Sequence, residues 1–181
     1  MVFASCYIIF NMMPNQTITF EKLITEKCAS EKEWNDVLEI LKETELYIWL
    51  SGKEQYKNFY VIKEPESKKI IGCFTFSQEG SIGILKNLGI AKAFQRKGIS
   101  TYMANNRIPE IAKSLGIKKL YLHGNDRGPF TSNYFWKKTI FKHIKSTEVK
   151  DKYYIDHFNH LINNYSPDVL CKESIFYLEL T

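Results

Sequence analysis

Gln95-Arg96-Lys97-Gly98-Ile99-Ser100 places a side-chain amide, two cations, a glycine and a small hydroxyl residue where an apolar run gives way to an amphipathic one. The first turn of a helix leaves several N–H groups without intrahelical partners, and the helix dipole adds partial positive charge there. Glycine lets a bulky anion come close to the backbone. Arg96 and Lys97 add full charges, so the chemistry on offer is phosphate binding. GxxxxGK[ST] and GxGxxG are both absent, which argues against a nucleoside triphosphate or a nicotinamide dinucleotide. The alternative is a solvated basic turn in which Gly98 merely starts a helix.

Positioning such a turn requires a strand before it and a helix after it. Ile82–Ile90 and Ile70–Ser77 read as a hairpin around Gln78–Ser81, and Phe59–Lys63 reads as a further strand. The helix opened by Gly98 carries Ile99, Tyr102, Met103, Ile111 and Leu115 on one side and stops at Gly116. Pro109 predicts a kink near Arg107. Earlier, Ile18–Ile24 reads as a strand, and Ser30 with Glu33 forms a capping-box signature for a helix to about Lys42. A short helix is expected around Leu46–Ser51. Later come a strand at Lys119–His123, a loop at Asn125–Pro129 and a short helix over Ser132–Lys138. Phe141–Val149 reads as a strand, Asp151–Asn164 as a helix bearing Tyr154, Ile155, Phe158, Leu161 and Ile162 on one side, and Ser174–Leu180 as a final strand. The order is that of a mixed α/β single domain.

The chain has 181 residues and a net charge of +5, with 44% hydrophobic and 25% charged residues. That suits one well-filled domain and favours an anionic ligand. No run of five or more basic residues occurs, which weakens a nucleic-acid reading. Cys6, Cys28, Cys73 and Cys171 are far apart and form no metal-ligand spacing, so no metal is expected and a reducing, cytoplasmic setting is. No segment is long and apolar enough for a membrane span. Residues 1–14 are expected to be an N-terminal extension, with a working start at Met12 or Met13, before a domain at 15–181.

The turn resembles the pyrophosphate loop of the GNAT superfamily of acetyl-CoA-dependent N-acetyltransferases. In that loop, Gln or Arg is followed by two variable residues, Gly, one variable residue, and Gly or Ala. Here Gln95 and Gly98 fit, and Ser100 replaces the last small residue. Leu88-Gly89-Ile90 sits where that family places the strand whose backbone pairs with pantetheine. Leu120–His123 follows at the expected place, and Asn133–Phe141 resembles the family's aromatic helix, with Ile140 in place of its glycine. The similarity covers roughly Phe59 to Ile144, and the helical segment at about 150–170 is unusual for the family.

The resemblance implies a central mixed sheet flanked by helices and splayed after Ile90, with the helix from Gly98 starting at the split. It implies acetyl-CoA as cosubstrate, its diphosphate on the amides of Arg96 to Ser100 with Lys92, Arg96 and Lys97 nearby, and Asn125 either on the pantetheine or only shaping its turn. The reaction implied is direct attack of a small-molecule or peptide amine on the thioester, aided by a base. A strand amide at or near Ile90 would stabilise the oxyanion. The family's usual tyrosine acid falls on Trp136, which cannot donate an acidic proton. Tyr134 is the nearest phenol, and is either that acid or a packing aromatic. Ile82–Ile90 carries no carboxylate, which leaves His123 and Glu79 as candidate bases. Their plainer roles are a structural hydrogen bond and a solvated turn. A GNAT-like module that binds coenzyme A or a protein partner without efficient transfer is the alternative function.

Overall fold

The computed structural model describes residues 19–46, 56–124, 132–164 and 174–181. The N-terminal extension, nearly all of the expected helix at 46–51, and Asn125 lie outside them. Among the described residues, seven strands form one sheet in the order β1-β2-β3-β4-β5-β7-β6. They are β1 (Ile24–Lys27), β2 (Phe59–Lys63), β3 (Ile70–Glu79), β4 (Ile82–Ile90), β5 (Lys119–His123), β6 (Lys142–Ile144) and β7 (Ile175–Glu179). All neighbours are antiparallel except β4 and β5. A parallel pair needs a long crossover, and the helical run from Ile99 to Ser114 supplies it.

Side chains alternate across the sheet and build two layers. On one face Tyr60, Ile62, Ile71, Phe74, Leu85, Leu120, Leu122 and Phe176 pack with Ile99, Met103, Ile108, Ala112 and Trp136 from the helices. On the other face, Phe59, Val61 and Cys73 meet Val37, Ile40 and Leu41 of α1 (Glu31–Glu43). Ile84, Tyr121 and Ile175 meet Tyr154 and Phe158 on that same second face. The capping signature holds in altered form. Glu33 N–H donates to Ser30 Oγ at 3.2 Å, while the Glu33 carboxylate reaches back to the Ala29 amide at 2.7 Å.

The helical run is α-helical at α2 (Ile99–Tyr102), π-helical at Met103–Arg107, and α-helical again at α3 (Ile108–Ser114). The wide turn lies immediately before Pro109, which has no N–H for the preceding turn. The expected kink is therefore absorbed as a π-turn. The next helices are α4 (Ser132–Trp136) and α5 (Lys152–Asn164).

Three expectations change. The first strand lies at Ile24–Lys27, because Phe20–Lys22 form a 3-10 turn with Leu23 N–H bonded to the Phe20 carbonyl at 3.0 Å. The strand expected over Phe141–Val149 stops at Ile144. Its remainder is a 3-10 turn (Ser146–Glu148) held by the Glu148 carboxylate on the Lys145 amide at 3.2 Å. The sheet also opens earlier than Ile90. β4 pairs with β5 only from Ile82 to Ile84, opposite Lys119 to Tyr121, and the strands diverge beyond that.

Candidate active site

The split is bounded on one side by Leu85–Ile90 of β4, whose outer neighbour is β3, and on the other by Leu122–His123 of β5, which pair with β7. The β3–β4 register runs Thr75↔Lys86 and then Cys73↔Gly89, so two residues, Asn87 and Leu88, stand opposite Phe74 alone. This is a bulge, and Asn87 meets it with φ 54°, a left-handed conformation that asparagine tolerates. It rotates Leu88–Ile90 relative to the start of the strand. The second face of Gly89 is roofed by α1. A Cβ there would sit 3.3 Å from Thr44 Oγ1 and 3.4 Å from Ile40 Cγ2.

The turn after β4 is pinned at three points. Ala91 N–H donates to the Ile71 carbonyl at 2.9 Å, Lys92 N–H to the Glu43 carboxylate at 3.0 Å, and Gln95 Nε2 to the Ile90 carbonyl at 2.9 Å. Gln95 thus folds back on the strand end rather than facing a ligand. Arg96 (φ 59°) and Gly98 (φ 82°) are both left-handed, with Lys97 between them. Among the described residues, no backbone acceptor takes the amides of Lys97 to Ser100. Ile99 is buried and fixes the helix start, while Gln95 to Gly98 are exposed. Phe20 stacks on Tyr102 with ring centroids 5.4 Å apart and floors the turn. A Cβ on Gly98 would stand 3.1 Å from Phe20 Cζ. Such a cradle of open amides beside cationic side chains suits a diphosphate.

The candidate acid–base residues do not converge. His123 ends β5 at the mouth of the split, its ring centroid 5.3 Å from that of Phe158. Glu79 is exposed at the hairpin end of β3, opposite Ile82 and therefore at the closed end of the split. Tyr134 is 65% exposed, with Lys138 Nζ 3.9 Å from its ring centroid and bonded to its hydroxyl. Trp136 is buried between Phe135 and Phe141, at centroid distances of 4.7 and 5.3 Å. It is a packing residue of the first face.

Sequence reasoning missed several residues around the split. His157 of α5 is half-buried on the sheet's second face, and burial first, then the charge of Lys86 on β4, lower its imidazole to about 4. Gly124 follows β5, its N–H bonded to the Ser174 carbonyl at 2.7 Å, and Asn133 Nδ2 donates to Ser174 Oγ at 2.5 Å. That cluster docks α4 onto the end of β5. The position of His157 one turn after Tyr154 was the available signal, but its neighbours come from remote strands.

A separate groove of about 600 Å³ lies between α1 and the β2–β3 turn, lined by Asp36, Glu39, Lys63, Lys69 and Phe94 among others. It is on the far side of the turn from the split. No group of three or more His, Cys, Asp or Glu side chains among the described residues could hold a metal ion. No helix among them is long and apolar enough to cross a membrane.

The acetyltransferase (GNAT) family model matches residues 23–129. Among solved structures, an acetyltransferase of the GNAT family from Staphylococcus aureus Mu50 is 14% identical with a TM-score of 0.60, over 88% of this chain and 99% of its own. A GNAT family acetyltransferase from Elizabethkingia anophelis with acetyl-CoA bound is 18% identical, with a TM-score of 0.54 over 87% and 97% of the two chains. N-acetylglutamate synthase from Neisseria gonorrhoeae, complexed with coenzyme A and N-acetyl-glutamate, is 14% identical with a TM-score of 0.60. It is matched over 88% of this chain but only 35% of its own length. A search of curated proteins finds no match.

Proposed function

The chain belongs to the GNAT acetyltransferase family, and from that membership we propose that it transfers an acetyl group from acetyl-CoA to a primary amine by direct attack. The observation that carries this reading is the turn left-handed at Arg96 and Gly98, whose Lys97 to Ser100 amides meet no backbone acceptor among the described residues, at the end of a strand that parts from its neighbour. The amides of Arg96 to Ser100, with the Arg96, Lys97 and Lys92 cations, would hold the diphosphate. The edge of Leu88, Gly89 and Ile90 would pair with the pantetheine amides, with Asn125 at the same arm. The coenzyme-bound neighbours support the choice of cosubstrate.

Acetyl-CoA supplies the activated acetyl group. An amide at or near Ile90 would stabilise negative charge growing on the thioester oxygen, and His123 at the mouth of the split would take the amine proton. The remote position of Glu79 favours His123 as the base, and the solvent exposure of Tyr134 speaks for packing over the acid role. The acceptor is a small-molecule or peptide amine, and the N-acetyl-glutamate bound to one neighbour supports a small one. Cys28 and Cys73 are buried free thiols, which supports a reducing, cytoplasmic setting.

Two measurements test the proposal. Gly98→Asp adds bulk and negative charge at the diphosphate and is expected to abolish acetyl-CoA binding in calorimetry. Unchanged affinity in the folded variant removes the site assignment. The wild-type chain is expected to release thiol from acetyl-CoA with at least one member of a panel of amino acids, polyamines, aminoglycosides and a peptide with a free N-terminus. The burial of Trp136, at the family's usual proton-donor position, favours a second reading, a coenzyme A-binding module without efficient transfer. Tight binding without thiol release selects it.

A further inference from the structure

The three pins on the turn after β4 hold the Ala91 amide, the Lys92 amide and the Gln95 side chain, so all of them act before its left-handed part. At the far end, Tyr102 N–H bonded to the Gly98 carbonyl at 3.0 Å begins α2. Between these anchors Arg96, at φ 59°, is a non-glycine residue in a costly conformation, and Gly98 follows at 82°. The support for that stretch comes from below. The three atoms nearest to a Cβ built on Gly98 are Cζ, Cε2 and Cε1 of Phe20, at 3.1, 3.8 and 3.9 Å. The bare side of Gly98 is turned to the Phe20 ring.

Phe20 is itself locked in place. It is half-buried and packs against the first-face core. Its ring stacks on Tyr102 with an interplanar angle of 17°, and Tyr102 belongs to the helix that the turn opens. Its backbone lies in the 3-10 turn ahead of β1. There Lys22 N–H donates to the Thr19 carbonyl at 3.1 Å and Leu23 N–H to the Phe20 carbonyl at 3.0 Å, with Leu23 buried in the same core. Phe20 therefore ties the segment before the first strand to a turn in the middle of the chain.

We propose that Phe20 is a positioning residue of the diphosphate site, the floor that keeps the amides of Lys97 to Ser100 assembled before any ligand arrives. Glycine is needed at 98 because a side chain there would meet this floor. The inference rests on the reading of the turn given above. A turn already in its bound shape is spared the ordering cost that a loose one meets on binding. Without the ring, Arg96 and Gly98 are free to leave the left-handed region, and cosubstrate affinity falls although no contact to the ligand has been removed. The ring lies under the turn, at the diphosphate end, so the step at the thioester is expected to be spared.

Calorimetry with coenzyme A on the full chain tests the floor. Phe20→Ala is expected to raise the dissociation constant about tenfold, and Phe20→Leu, which restores an apolar body beneath Gly98, to recover about threefold of that loss. A folded Phe20→Ala with affinity within about twofold of wild type overturns the proposal. Gly98→Ala distinguishes a floor from general support. In the wild-type background its methyl group meets the ring; in the Phe20→Ala background it enters the space the ring left. Its effect on affinity is expected to be about threefold smaller there, and additive losses overturn the proposal, because residues in contact couple and independent ones add. With the panel amine that gives the fastest thiol release, KM for acetyl-CoA is expected to rise in Phe20→Ala while kcat stays within about twofold. A fall confined to kcat overturns the positioning role. Where the Phe20 variants do not fold, the wild-type chain decides. Coenzyme A is expected to slow amide exchange at Lys22 and Leu23, whose hydrogen bonds hold the 3-10 turn, and unchanged exchange overturns the proposal. Wild-type chain that does not bind coenzyme A removes the diphosphate site and its floor together. Tight binding without thiol release bears on the transferase reading alone.

Discussion

Gly98 meets two demands that no other side chain satisfies together. Its φ of 82° costs an L-residue about 1–2 kcal/mol, and a Cβ would press on Phe20 at 3.1 Å. Gly98→Ala is therefore expected to lower unfolding stability by that amount in urea titrations even without ligand. His157 makes a different prediction at the same scale. Its imidazole sits at about 4 in the folded chain and near 6.5 when unfolded, so the unfolded state binds the extra proton between those values. Stability attributable to His157 is thus full above about pH 6.5 and falls as the pH drops toward 4, by roughly 3 kcal/mol at most. His157→Gln is expected to flatten that part of the stability–pH curve in chemical denaturation at stepped pH. The Gln95–Ser100 turn was legible because its residue types are each demanded locally. His157 was not, because Lys86 and His123 reach it only through the tertiary fold.

Element boundaries were legible where the local chemistry spoke alone, and the cap at Ser30 and the hairpin ending at Gly80 (φ 56°) are of that kind. The first strand and the sixth shifted because 3-10 turns at Phe20–Lys22 and Ser146–Glu148 use the same residues for short-range hydrogen bonds. The early opening of the sheet at Ile84 depends on the pairing of β5 with β7, which no single segment announces. Two elements carry predictions of their own. Gly124→Ala would put a Cβ 2.1 Å from Asn133 Oδ1, on a buried side chain already bonded to Ser174. It is expected to cost about 2 kcal/mol and to displace α4 from β5, visible as weakened amide-exchange protection over Ser132–Trp136. Asp151 accepts from both the Tyr121 hydroxyl and Lys119 Nζ, and its carbonyl takes the Ile155 amide at 3.1 Å to start α5. Burial opposes its ionisation, but those hydrogen bonds and the Lys119 charge outweigh it and hold the carboxyl below its ordinary range. Asp151→Ala is expected to lose about 1–3 kcal/mol and to loosen α5 before the rest of the sheet.

Taken as one body, the molecule is two half-sheets joined by three residue pairs, Ile82–Lys119, Gly83–Leu120 and Ile84–Tyr121, with α1 and α5 bracing the second face and the Ile99–Ser114 run bracing the first. A ligand seated in the split would join the halves. Coenzyme A at a hundredfold excess over its dissociation constant is expected to add about 2.7 kcal/mol, raising the thermal midpoint by about 5–10 °C for a chain of this size. The mild net charge of +5 also predicts that this shift shrinks as salt rises. The same opening has a consequence for handling the protein. From Leu85 to Ile90, β4 presents to β5's side a backbone margin that β5 does not pair, so an unliganded molecule carries an adhesive border in the middle of its sheet instead of at its rim. A second chain can dock an extended segment there. Light scattering on warming is therefore expected to rise sooner without coenzyme A than with it, because the proposed cosubstrate would occupy the place where a stray strand would begin an aggregate.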